Sequence, residues 1–282
     1  MDPLITKELV ELGSQTASKP VASFSELIAL KFFGKSIAKL KAEAEVEGDK
    51  VLSSWEEVEK PLWLQAEAVK MNRQYENFGN TLKKASKYIT EENTISNDND
   101  LFWGLLEHSK EITNENVQDL IAKIIAGEYN TPGTYSMSTL QILKSLGKKD
   151  LEKLTFFASF YLNGHGFLRD FFHIKEKTTA LRSSLGINYA DFLELQNLGL
   201  IQSGGYVISV SLKKDSLFKI EYCDESLIFK VTKDLERWSF PECYALTSAG
   251  REIVQHLKIT KNEQFKEYLR EFFKEKGFEP QN

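Results

Sequence analysis

The chain has 282 residues, of which 41% are apolar and 27% charged, and a net charge of −5. That length predicts two or three modules, and 19 Phe, 10 Tyr and 4 Trp exclude a disordered chain. The acidic balance excludes a global positive field for nucleic acid, and the longest uncharged run, Leu154–Leu168 with 15 residues, is too short for a membrane span.

Residues 1–90 read as long helices. Leu30, Phe33, Ile37, Leu40, Ala44, Val51, Trp55 and Val58 fall mostly three or four apart and so lie on one stripe, interrupted at Glu47 and Gly48. Pro61 ends or kinks this run. A second stripe follows at Met71, Tyr75, Phe78, Leu82, Ala85 and Ile89. Two seams flanking a proline predict an antiparallel helical hairpin; self-association or a protein partner on one seam is the competing arrangement.

The polar run from Thr90 to Asp100 is the first linker, and residues 91–175 are assigned to a central helical domain. Its second helix carries Val117, Leu120, Ile121, Ile124 and Ile125, with Gly127 at the position of a C-terminal cap. Pro132 and Gly133 turn the chain, Ser136 caps the next helix, and Leu140, Leu143 and Leu146 line it. A further apolar helix is expected from Asp150 to Tyr161, broken at Asn163 and Gly164. In residues 176–258 the pattern shifts from helix (Tyr189–Leu198) to β-branched and aromatic strand sequence after Gly199, and back to helix after Leu246. The last segment, 259–282, holds a helix from Asn262 to Lys276 with Phe265, Leu269, Phe272 and Phe273 on one face.

Two resemblances rest on particular residues. Ala122-Lys123-Ile124-Ile125-Ala126-Gly127-Glu128, then Pro132-Gly133-Thr134-Tyr135-Ser136, then Thr139-Leu140 with Leu143-Lys144, resemble the signature of a bacterial domain-of-unknown-function family. Arg73-Gln74-Tyr75-Glu76-Asn77 is similar to that family's R-Q-x-x-N helix, although a Trp common near Leu120 and Ile121 is absent. This resemblance implies membership and no particular reaction. Leu193–Ile201 and Tyr244-Ala245-Leu246-Thr247-Ser248-Ala249-Gly250-Arg251-Glu252-Ile253 resemble a winged-helix ending. That implies a β wing followed by a capped helix, here with an extra hairpin between them.

The candidate recognition helix exposes Asp191 and Glu194 and has no Lys or Arg, which works against phosphate. Asn188, Gln196 and Asn197 are its base-reading candidates. Lys213, Lys214 and Lys219, with Lys175, Lys177 and Arg182 upstream, are the candidate nucleic-acid contacts; nucleic acid is the less favoured partner. His165 and His173 flank Asp170, but on a helix they are about 12 Å apart along the axis, too far to share an ion. Glu128, beside the polar turn at Asn130 and Thr131, is expected to accept backbone N–H bonds from the following segment. Gly127, Glu128, Pro132, Gly133 and Ser136 are all assigned structural roles. Cys223 and Cys243 lack zinc spacing and leave a disulfide between them open. No P-loop, G-x-G-x-x-G or G-x-S-x-G occurs, so no catalytic residue, cofactor or metal is assigned.

The fold class expected is mainly α: a long N-terminal helical hairpin, a central helical domain and a C-terminal winged-helix-like α+β module. The function expected is a non-enzymatic bacterial interaction or assembly protein of the cytoplasm, partnered or self-associated through its N-terminal helices, with no membrane contact. Architectures of this kind often serve phage defence or stress response, an analogy from architecture alone. The alternatives are a DNA- or RNA-binding regulator acting through the winged helix, and an enzyme whose residues assemble only in three dimensions.

Overall fold

The computed structural model describes residues 9–13, 18–33, 36–39, 62–172 and 176–281. The chain divides into two compact units, Met1–Lys144 and Ser145–Asn282.

The first unit is helical. It contains α1 (Lys19–Phe33), α2 (Leu62–Ala85), a 3-10 turn at Ser86–Tyr88, α3 (Asp100–Ser109), α4 (Glu115–Asn130) and α5 (Met137–Ser145). The wide apolar face of α4 makes it the centre: Val117, Leu120, Ile121, Ile124 and Ile125 are all buried, and the helix packs on α2 and α3. Burying each such side chain stabilises by about 2 kcal/mol before the entropy of ordering it. Asparagines start two of the helices. Asn99 accepts from Phe102 N at 3.0 Å to cap α3, and Asn114 accepts from Val117 N at 3.3 Å to cap α4. From α1, Phe24 meets Tyr129 and Phe32 meets Phe78, each pair with ring centroids 5.1 Å apart. The α2 stripe is buried at Phe78, Leu82 and Ala85, whereas Met71 is 41% exposed. Of the first arm of the expected hairpin, Leu30 to Val58, Leu30 is 52% exposed and Ile37 is buried, and everything from Leu40 through Pro61 lies outside the described residues.

The second unit overturns the expected fold class. After α6 (Lys148–Ala158) come β1 (Tyr161–Asn163), β2 (Gly166–Leu168), α7 (Arg169–Phe172), α8 (Glu176–Ser184) and α9 (Tyr189–Asn197). Then follow β3 (Ile201–Tyr206), β4 (Ser209–Leu212), β5 (Leu217–Tyr222), β6 (Glu225–Val231), β7 (Leu235–Ser239), β8 (Cys243–Leu246), α10 (Ser248–Val254), α11 (Glu263–Glu275) and β9 (Phe278–Pro280). Seven strands form one sheet in the order β3-β8-β2-β1-β5-β6-β9, and β4 with β7 forms a separate ribbon. Every pairing in the large sheet is antiparallel. The protein is thus a combination of helices and a large antiparallel sheet, not a mainly α chain. The strand sequence read as a wing, 206–212, 217–222 and 227–231, falls in β4, β5 and β6, of which β5 and β6 are inner strands of that sheet and β4 belongs to the ribbon.

The reason lies at residues 161–168, where the sequence reads as a helix end broken at Asn163 and Gly164. Gly164 (φ +77°) and Gly166 (φ +108°) turn the chain into a hairpin pairing Tyr161 with Phe167. A Cβ on Gly166 would lie 2.5 Å from Tyr244 O, so only glycine lets β2 approach β8 there. Strands of three residues are too short to show a period-2 pattern. The hairpin also removes the helical geometry assumed for the two histidines, and His173 lies outside the described residues.

Helices cover the sheet. α11 buries Phe265, Leu269 and Phe273, with Phe273 5.1 Å from Phe229 of β6. The Tyr222 hydroxyl donates to Ser159 O at 2.7 Å and accepts from Asn262 N at 3.0 Å, fixing the start of α11. Thr247 caps α10 by accepting from Gly250 N at 2.9 Å.

Candidate functional site

A buried polar constellation sits at the C-terminal end of α4. Glu128 is 1% exposed. Its Oε1 accepts from Gly133 N at 2.8 Å and from Asn99 Nδ2 at 3.0 Å, and its Oε2 accepts from Tyr135 N at 3.2 Å. One carboxylate therefore fastens the turn after α4 and the residue that caps α3. Gly133 holds φ +86° in that turn, a left-handed conformation suited to glycine. Pro132 is exposed, and the Ser136 hydroxyl lies 3.4 Å from Thr139 Oγ1 at the start of α5.

Helix α4 runs three residues past Gly127, which is therefore not a cap. Its role is space: a Cβ there would meet the Tyr135 hydroxyl at 2.3 Å, so the glycine admits the buried tyrosine.

The next two residues of α4 hold the preceding linker. Tyr129 Oη accepts from Asn93 N at 3.5 Å. Asn130 Oδ1 accepts from Thr90 N at 3.0 Å, and its Nδ2 donates to Tyr88 O at 2.8 Å. From α2, Asn77 Nδ2 donates to Lys110 O at 2.9 Å and Gln74 Nε2 to Glu111 Oε1 at 2.6 Å. Gln118 Nε2 donates to Ile112 O at 2.6 Å. Glu128, Gln74 and Asn77 of the two signature blocks thus bind loops of their own unit.

A family model described as a protein of unknown function, DUF2806, matches residues 65–270. The chain belongs to the DUF2806 family. No curated protein and no solved structure matches it. The DUF2806 match runs through the helical unit and most of the sheet, well beyond the central signature.

The remaining candidate residues of the DUF2806 chain are dispersed. His165 sits in the β1–β2 turn, stacked on Phe240 at 4.3 Å, with its carbonyl accepting from the Tyr206 hydroxyl. Its Nδ1 is buried without a hydrogen-bond partner, and burial holds its pKa below the usual 6.5. Both cysteines are free thiols. Burial pushes Cys243 up to about 12 and also raises Cys223, which makes both poor nucleophiles at neutral pH. Among the described residues no group of three or more His, Cys, Asp or Glu side chains is arranged to hold a metal, and no helix is long and apolar enough to cross a membrane.

Lys213 and Lys214 are exposed in the β4–β5 turn, where Asp215 pairs with Lys230 at 2.8 Å and Asp234 accepts from Lys214 N at 2.8 Å. Lys219 pairs with Glu221 at 2.6 Å. Carboxylates therefore interleave with all three lysines. Arg182 is buried and donates to Phe172 O at 2.8 Å, and Lys175 lies outside the described residues. On α9, Asp191 and Glu194 both grip Lys153 of α6. Asn188 caps that helix through Ala190 N at 3.1 Å, and Gln196 Nε2 donates to Gln202 O at 2.8 Å. Two of the three base-reading candidates are thus engaged within the unit. Sequence reasoning missed Asn99 and Tyr129, whose only signal is an Asn-rich linker and an aromatic beside Glu128.

Proposed function

We propose that this DUF2806 protein is a non-enzymatic interaction or assembly protein, joined to a protein partner or a second copy through its helical N-terminal unit. The observation that supports this is the behaviour of the α2 stripe. Phe78 and Leu82 are buried, Tyr75 is half-buried and Met71 is 41% exposed, although one helical face carries them all. Among the described residues the apolar seam leaves the buried core before the helix ends, as a contact surface does. The Glu128 constellation supports the reading further, since its oxygens fasten backbone and the Asn99 amide.

The test is Met71→Glu in the full chain, followed by native mass spectrometry and multi-angle light scattering. The expected result is loss of self-association or of a stoichiometric co-purifying protein, with an unchanged thermal melt. A wild-type protein that is monomeric and partner-free in cell extract, or a variant that keeps its assembly, refutes the proposal. We place this activity in the bacterial cytoplasm, in phage defence or stress response; challenging a deletion strain with a phage panel tests that setting.

A further inference from the structure

The tip of the β1–β2 hairpin carries a reactive pair that the contact surface above does not use. Asn163 is the only asparagine in the chain followed by glycine. Asn163 and Gly164 are both exposed, and a Cβ on Gly164 would meet nothing within 4 Å. The turn is closed by His165 N donating to Leu162 O at 2.9 Å, and among the described residues no hydrogen bond holds the Gly164 N–H. That nitrogen can close a succinimide ring on Asn163 Cγ, and glycine has no side chain to shield the approach.

The Asn163 side chain also ties two hairpin tips together. Its Nδ2 donates to Cys223 O at 3.1 Å, in the turn between β5 and β6, and the residue itself pairs with Glu221 at the end of the β1–β5 ladder. The charge there is acidic. Glu221 and Asp224 flank Tyr222 and Cys223, while Lys219 is engaged with Glu221 and Lys261 with Glu225. A carboxylate in place of the amide has no donor for Cys223 O and meets these acids with both lysines already paired.

We propose that Asn163 is a self-modification site, at which the folded chain deamidates without an enzyme and so loosens the join between β1 and β5. Hydroxide takes the Gly164 amide proton, and the nitrogen attacks Asn163 Cγ. The new C–N bond closes the succinimide as the Cγ–Nδ2 bond breaks, and ammonia leaves with a proton from water. Water then opens the ring at either carbonyl, giving aspartate or isoaspartate. Both products are ionised at neutral pH and cannot donate to Cys223 O. Isoaspartate also adds a methylene to the main chain beside the Asn163–Glu221 pair. The site is independent of the α2 surface, so either can fail without the other.

The test incubates the full native chain, beside a urea-unfolded sample, in mildly alkaline buffer and follows every asparagine by peptide mapping with isoaspartate detection. The expected result is that Asn163 converts first in the folded chain, at a rate within about tenfold of the unfolded one, because a hairpin tip opens at little cost. Aspartate and isoaspartate both form, and the rate rises with hydroxide concentration. Amide exchange at Glu221 and His165 then rises at least about tenfold in the aged protein and in Asn163→Asp, whereas Asn163→Gln does not change on incubation. An Asn163 that keeps its amide in the folded chain while the unfolded sample converts overturns the proposal, because the hairpin then protects it. So does conversion of other asparagines in the folded chain as fast as Asn163, or conversion that leaves exchange at Glu221 and His165 unchanged.

Discussion

Replacing Glu128 by Gln keeps the shape of the side chain but removes its charge and one acceptor. The remaining oxygen can still take Gly133 N and Asn99 Nδ2, the donors at 2.8 and 3.0 Å, but the new amide then faces the buried Tyr135 N–H. Hydrogen bonds to a carboxylate are roughly twice as strong as neutral ones, so the two retained bonds weaken by about 1 kcal/mol together. The stranded N–H costs a further ~1–3 kcal/mol, for a total of about 2–4 kcal/mol. In a unit of this size that lowers the melting temperature by about 10 °C. Because two units melt in one chain, the decisive assay is amide hydrogen exchange at Gly133 and Tyr135, which reports this turn alone. Wild-type protection at both amides, together with a melt within about 2 °C of wild type, refutes the fastening role of Glu128.

Three further outcomes follow from the packing. Gly127→Ala drives a Cβ into the Tyr135 hydroxyl, now 2.3 Å from that position, and is expected to cost about 1–3 kcal/mol by urea unfolding. In a Tyr135→Ala background that extra cost disappears. Tyr222→Phe leaves Ser159 O and Asn262 N without their partner and is expected to destabilise the sheet unit by about 1–3 kcal/mol, with exchange rising first at the start of α11. His165 and His108 are both held below 6.5 by burial, so the unfolded chain takes up protons that the folded one refuses. Their contribution is complete above about pH 6.5 and falls as pH drops below it. His165→Phe should flatten that decline in denaturation measured from about pH 7 to pH 5; an unchanged slope removes His165 as its source.

The helices of the first unit were legible because their signals are local. The 3-4 spacing of Val117 to Ile125 and the cap at Asn114 can be read within one or two turns. The sheet was not, because its signals are long-range. Gly166 looks like a helix breaker until Tyr244, far along the chain, comes within reach of it. Nor does β9 have enough residues to show alternation. At Glu128, the type of partner follows from a carboxylate beside a polar turn, whereas Asn99 belongs to a different linker and no spacing rule connects the two.

The strand order has a temporal consequence. The centre of the sheet joins β1 to β5 through Leu162 and Tyr222, and β2 to β8 through Leu168 and Cys243. Each contact closes a long loop before it gains any stabilisation, which slows the search. During synthesis, helices α2 to α4 can pair as soon as they emerge, while β1 and β2 wait for most of the unit behind them. β9, the partner of β6, comes last of the nine strands. Refolding should therefore show a fast helical phase and a slow sheet phase. Between the two, the aromatic strands are exposed to aggregation, and a chaperone has its longest opportunity to bind.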